Sequence, residues 1–169
     1  RTQAVMARRY ADAEHADDLG RLDPGAIDAV RAEAWPEARN ADEVHEALMG
    51  LGFVTAAEAR DNDGWLAWLV ELSAVGRSSR VGVGEGIFVA AERLPQVRAL
   101  TGADVSPAIQ VPGEFAVEWT QDDAACELVR SRLSGLGPTT SADLAAAGVP
   151  DASAIDAALL RLESEGYVM

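Results

Sequence analysis

One stretch of this chain occurs twice. Residues 48–55 read Leu-Met-Gly-Leu-Gly-Phe-Val-Thr and residues 133–140 read Leu-Ser-Gly-Leu-Gly-Pro-Thr-Thr, so both fit L-x-G-L-G-x-x-T. Each is followed by an apolar run closing on L-x-x-L-x-x-x-G, through Leu69, Leu72 and Gly76 in the first copy and Leu159, Leu162 and Gly166 in the second. A helix stopping at a Leu-Gly corner, a short capped helix and a longer helix ending at glycine make a helix-turn-helix core. The chain therefore reads as two related modules.

The flanking signals extend that frame. Residues 3–18 read as a helix with a partial apolar stripe at Val5, Met6 and Arg9–Tyr10. Asp23-Pro24 starts a second helix, with Ile27, Val30 and Ala34 on one face and Pro36 beyond its end. Asn40 with Glu43, and Thr55 with Glu58, have capping-box spacing. The first opens a helix bearing Val44, Leu48 and Leu51 that ends at Gly52; the second opens a short helix. Asp61-Asn62-Asp63-Gly64 is a turn before a helix from about Trp65 to Val75. The period then changes. Val81, Val83, Ile87, Phe88 and Val89 surround Gly84-Glu85-Gly86, which predicts a hairpin over residues 79–91. Three helices followed by a hairpin is the winged-helix order.

A short helix is expected at 94–100. A Pro/Gly-containing connector then follows, with an extended segment at Phe115–Trp119. The second module begins at the cap Thr120, with Asp123 at its third position. Leu128, Val129, Leu133 and Leu136 form its first helix face. Thr140 with Asp143 caps the next helix, Pro150-Asp151 turns, and Ile155, Leu159 and Leu162 line the last helix. Tyr167-Val168-Met169 reads as the start of a wing strand. The expected fold is mostly α with small β hairpins. It comprises an N-terminal helical segment (1–39), a first winged-helix module (40–93), a connector (94–119) and a second winged-helix module cut off at its wing (120–169). Starting at Arg1 and stopping there, the chain reads as a piece of a longer polypeptide.

Charge restricts the partners. The formal net charge of the 169 residues is -14, and all fourteen basic residues are Arg. Phosphate neutralisation dominates nucleic-acid affinity, and none of the four segments is net basic, so any such contact is local. Single Cys126 excludes an internal disulfide, and with two His it is too little for a structural zinc site; it reads as a small core residue. No run approaches the ~20 apolar residues of a membrane span, and no secretory signal is visible, so a cytoplasmic setting and no membrane partner are expected.

The candidate chemistry is sparse. Aligned on the closing glycines, Trp65, Leu69 and Leu72 match Ile155, Leu159 and Leu162 at i, i+4, i+7, which makes Trp65 core rather than a base-stacking platform. On the other face of that helix the first copy has Leu66, Ala67, Val70 and Glu71. A helix apolar nearly all round is expected to be buried all round, so this helix is expected to pack against protein instead of reading DNA. The second copy has Asp156 and Arg161 there, open to solvent. Nucleic-acid contacts are assigned to Arg77 and Arg80, where the third helix enters the wing, to Arg130 and Arg132 on the first helix of the second module, and to Arg161. Arg8 and Arg9 near the start read as solvated charge. His15 with Asp17 and Asp18 reads as capping or interdomain pairing, not catalysis. Gly82, Gly84 and Gly86 miss the G-x-G-x-x-G order, and no G-x-x-x-x-G-K-[ST] occurs, so no ATP motor is visible.

The run Tyr10-Ala-Asp-Ala-Glu-His15-Ala-Asp-Asp18-Leu-Gly-Arg21-Leu-Asp-Pro24, then Arg31-Ala-Glu-Ala-Trp35-Pro36, Val89-Ala-Ala-Glu92-Arg93-Leu-Pro95 and Gly135-Leu-Gly137-Pro138-Thr139-Thr140, resembles the C-terminal region of bacterial Lhr, the large helicase-related proteins. The resemblance covers the whole chain. It implies a parent that is an ATP-dependent, 3′-to-5′ superfamily 2 helicase of DNA repair, with ATP and Mg serving a motor N-terminal to this piece and no cofactor here. It implies tandem winged-helix modules similar to the AlkZ-type DNA glycosylases, a role in oligomerisation and, in some members, uracil-DNA glycosylase activity. No catalytic residue of that activity matches a position here. The leading expectation is a non-catalytic segment that packs against the rest of the helicase and makes accessory DNA contacts. The alternatives are part of a glycosylase site, or a pure oligomerisation scaffold.

Overall fold

Helix starts in this chain are set by side chains that accept from free backbone N–H groups. The computed structural model describes residues 23–82 and 85–168; Arg8, Arg9, the 3–18 helix and the His15 cluster lie outside them. Asp23 accepts from the Gly25 amide and Pro24 occupies the first turn of α1 (Pro24–Ala34). Asn40 accepts from the Glu43 amide at the start of α2 (Ala41–Leu51). Glu43 does not close a capping box: its carboxylate takes the Arg39 amide at 2.7 Å and the Asn40 side-chain amide at 2.9 Å. Thr55 and Glu58 do form the reciprocal box that opens α3 (Ala56–Asp61). Gly64, at φ 80°, precedes α4 (Trp65–Ala74).

The antiparallel hairpin follows as β2 (Ser78–Val81) and β3 (Ile87–Ala90). The short β1 (Val54–Thr55) pairs with β3, Val54 opposite Phe88. A 3-10 turn at Ala91–Arg93 leads into α5 (Leu94–Thr101). The connector does more than link. Its Val105–Ser106 pairs with β2 as β4, giving a four-stranded antiparallel sheet in the order β1-β3-β2-β4. The expected extended segment at 115–119 is not a strand; Gly113–Phe115 is a 3-10 turn. Then come α6 (Gln121–Leu136), α7 (Ser141–Ala145) and α8 (Ala152–Ser164), capped by Thr120, Thr140 and Asp151. The described chain is thus mostly helical with one small antiparallel sheet. No described helix is long and apolar enough to cross a membrane.

The repeat is visible in the hydrogen bonds. After α4 the Gly76 amide donates to the Ser73 carbonyl and the Arg77 amide to Leu72; after α8 the Gly166 amide donates to Glu163 and the Tyr167 amide to Leu162. Both glycines have φ near 75°, at 75° and 73°, a conformation that glycine adopts without a steric penalty. Tyr167 and Val168 form no strand among the described residues.

Three apolar clusters hold the elements together. The first joins Val44, Leu48 and Leu51 of α2 to Trp65, Leu69 and Leu72 of α4 and to Ala90. Trp65 is buried and stacks on Trp35 with ring centroids 5.9 Å apart. The second cluster lies between the sheet, α5 and α6, with Phe53, Val89, Leu94, Ile109 and Leu128. The third joins Cys126 and Val129 of α6 to Leu144, Ile155 and Leu162. Helix α6 serves the second cluster with Leu128 and the third with its neighbours Cys126 and Val129.

Two expectations about helix faces change. The stripe on α1 is not core: Ile27 and Ala34 are half-buried and Val30 is exposed. α1 instead leans on the Gly137-Pro138 corner, where Arg31 Nε donates to the Pro138 carbonyl at 2.7 Å. The outer face of α4 is not covered by any described residue of this chain. Leu66 is 42% exposed and Val70 68%; Val75, just past the helix end, is 70% exposed. Apolar composition on all sides states what a helix needs to bury, but the partner need not lie in the same chain.

Candidate nucleic-acid interface

The five arginines assigned to nucleic acid occupy three different places, and most are already neutralised. Arg77 leaves the C-terminal turn of α4, and its guanidinium donates to Asp42 on α2 at 2.5 Å. That bond and the charge of Arg77 hold the Asp42 carboxyl below its ordinary range. Arg80 lies mid-strand in β2, opposite Phe88 and Ser106, with Nε donating to the Glu85 carbonyl at 2.8 Å. Beside it, Arg60 grips the Glu85 carboxylate with both terminal nitrogens, at 2.8 and 3.0 Å. This fork, by hydrogen bond and by charge, depresses the Glu85 carboxyl. The tip of the hairpin therefore presents Arg80 next to a closed Arg60–Glu85 pair.

Arg130 and Arg161 meet on the outside of the third cluster. Arg130 donates to Glu165 at 2.6 Å and its guanidinium lies over the Tyr167 ring, 5.2 Å from the centroid. Arg161 donates to Asp123 at 2.7 Å and to Glu165 at 3.2 Å. The Arg161 bond, with that from Thr120, holds Asp123 below its ordinary value of 3.8, and the two acceptors raise Arg161. A carboxyl depressed in the folded chain contributes stability that is present above its unfolded pKa and lost as pH falls through the folded one. The stability difference between the native chain and Asp123→Asn is accordingly expected to be largest at pH 7 and to vanish once pH falls well below 3.8. Urea unfolding at pH 7 and in acid measures it; a pH-independent difference would refute the pairing.

Arg132 is not on the surface. It is buried, donates from Nη1 to the Phe53 carbonyl at 3.2 Å, pairs with Glu58 through Nη2, and lies over the Phe53 ring, 4.8 Å from the centroid. It cannot reach a phosphate without breaking these contacts, so its place is in the seam between α6 and the first copy. A second seam arginine was missed by sequence reasoning. Arg93 donates through Nε and Nη2 to the Met49 carbonyl at 2.9 and 2.7 Å, and reaches Glu127 at 3.1 Å and Ser131 at 3.3 Å. Met49 is in the last turn of α2, where carbonyls lack helical partners. The sequence signal available was Arg93 within the Glu92-Arg93-Leu-Pro95 run, without its targets.

A cleft of about 580 Å³ opens between β1, α3, the hairpin and α7. Glu58, Glu85, Asp143 and Arg132 are its ionisable lining residues. Glu58 and Glu85 are held by Arg132 and Arg60, and Arg31 lies 3.8 Å from Asp143. The cleft thus presents paired charges, not a free base. No protein-family model matches the chain, and no curated protein does.

Proposed function

We propose that residues 23–168 form a tandem winged-helix unit of an Lhr-type repair helicase that carries no catalytic group and serves chiefly as a packing unit. The observation that carries this reading is the outer face of α4. In a groove-reading module the helix in that position presents polar and basic groups; here it presents Leu66 and Val70, with the acidic Glu71, to solvent. The order α2-β1-α3-α4-β2-β3 and the repeated glycine cap after α4 and α8 support the tandem reading. Contact with DNA is accessory and centres on Arg80, since Arg77, Arg130 and Arg161 have carboxylate partners and Arg132 is buried. ATP and Mg belong to the parent motor. The partners are the remainder of the helicase or further copies of the chain.

Binding of the chain to single-stranded and duplex DNA across a salt series tests this. Weak binding is expected, with log K falling against log salt with a slope of about -1 to -2, and Arg80→Ala removing about one unit of it. A slope steeper than about -5 would indicate a primary DNA-binding surface and overturn the packing reading. Release of base from uracil-containing DNA would replace it with a glycosylase. Binding absent even at low salt would leave the scaffold role alone.

A further inference from the structure

A groove of about 830 Å³ lies between the end of α6, the Gly137-Pro138 corner and α8. Its apolar lining is Leu133, Pro138, Leu159, Leu160 and Val168, and its charged residues are Asp156 and Glu163. The two acids are seven residues apart on α8, with Leu159 and Leu160 between them, so one helix face offers apolar surface flanked by carboxylates. The arginines of α1, α6 and α8 are committed elsewhere: Arg31 to Asp143, Arg130 to Glu165, and Arg161 to Asp123 and Glu165. Asp156 and Glu163 thus have no cation among the described residues. The groove calls for an occupant that is apolar and basic.

One segment of this chain, outside the described residues, has that character. Residues 1–10 carry three arginines and no acid, with Val5, Met6 and Tyr10 as their larger apolar groups. No stretch of that length elsewhere in the chain is as basic. Read as a helix, Val5, Met6, Arg9 and Tyr10 share a face, and Arg8 falls on the opposite side. The chain also enters beside the groove. Val30 of α1 lies against Gly137, and Arg31 donates to the carbonyl of Pro138, a groove residue. Seven helical residues, about 10 Å, separate Asp23 from Val30. The residues between Tyr10 and Asp23 span about 18 Å as helix and about 40 Å extended, so the groove is within reach in either form.

We propose that residues 1–10 of this same chain seat in the groove, with Val5, Met6 and Tyr10 against Leu159 and Leu160 and Arg9 between the two carboxylates. Helix-in-groove docking of this kind rests on apolar anchors one turn apart. A tethered segment docks without the translational cost that a separate partner incurs. Nucleic acid is unsuited to the place, because the carboxylates repel phosphate. The inference does not depend on the helicase reading, and the DNA salt series does not bear on it.

The test uses single variants of the full 169-residue chain, followed by amide chemical shifts. Met6→Asp should displace the segment, because a carboxylate would be placed against apolar surface. Arg9→Glu should displace it by setting like charges together. Both should move the Leu159, Leu160 and Val168 amides in the same direction. Arg8→Glu makes the same charge change on the outer side and should leave those amides in place. From the groove side, Leu160→Asp should move the amides of residues 5–10; Leu160 is 68% exposed, so this variant should melt as the native chain does. Groove amides unmoved by Met6→Asp, or moved as far by Arg8→Glu as by Arg9→Glu, would overturn the proposal. So would groove shifts that appear only as the protein is concentrated, which would assign the groove to a second copy.

Discussion

Arg132→Ala is expected to cost the fold about 3 kcal/mol, the low end for breaking a buried ion pair by removing one partner. The loss is large because three contacts disappear together. The Phe53 carbonyl loses a donor, the Phe53 ring loses the guanidinium above it, and Glu58 keeps its charge in a mostly buried position. Glu58 would still accept the Thr55 amide, so α3 keeps its start. Urea unfolding of Arg132→Ala, of Glu58→Gln and of the double variant separates these effects. The double variant should lose less than the sum of the singles, since removing both charges leaves none stranded. A single-variant loss below about 1 kcal/mol, or strict additivity, would mean that the Arg132–Glu58 pair does not hold the seam, leaving apolar packing and the Arg93 bridge from the Met49 carbonyl to Glu127 and Ser131.

Trp65→Ala is expected to cost about 4 kcal/mol, in the range for truncating a large buried aromatic. Trp65 starts α4, fills the first cluster between Leu48 and Leu69, and stacks on Trp35. Trp35 is in turn fixed by its indole N–H, which donates to Asn62 at 3.1 Å. Losing Trp65 frees both the helix start and the loop that precedes α2. The measurement also decides between two roles for a tryptophan in a helix-turn-helix core. A core residue costs stability and leaves DNA affinity unchanged when stability is matched. A base-stacking platform would do the reverse.

Local signals in the sequence were reliable where the physics is local. Thr55 with Glu58, Thr120 with Asp123 and the glycines ending α4 and α8 involve atoms within a few residues of each other, and the structure has each one. Asn40 with Glu43 has the same spacing, but the Glu43 carboxylate turns to the Arg39 amide, since an adjacent free N–H competes for it. The roles of the arginines were not legible. Arg77 finds Asp42 35 residues away and Arg132 finds Glu58 74 residues away. Nothing in the neighbourhood of either residue names the acid that neutralises it. The strand Val105–Ser106 was hidden for a related reason. Two residues before a proline carry no period of their own; β2 recruits them through Arg80 and Val81. The face of α4 marks another limit: hydropathy identified surface that seeks cover without identifying what covers it.

Helix α6 ties the halves in a way that bears on how such a chain can change over time. Leu128 points into one core and Cys126 and Val129 into the next, with Arg132 locked to the first copy one turn later. An insertion of one residue between Val129 and Arg132 would rotate everything beyond it by about 100°. Arg132 would swing away from Glu58, and α7 and α8 would be carried out of register with the sheet. The length of this one helix is held by two cores at once, so an insertion within it is expected to cost far more stability than one of the same size in a surface loop.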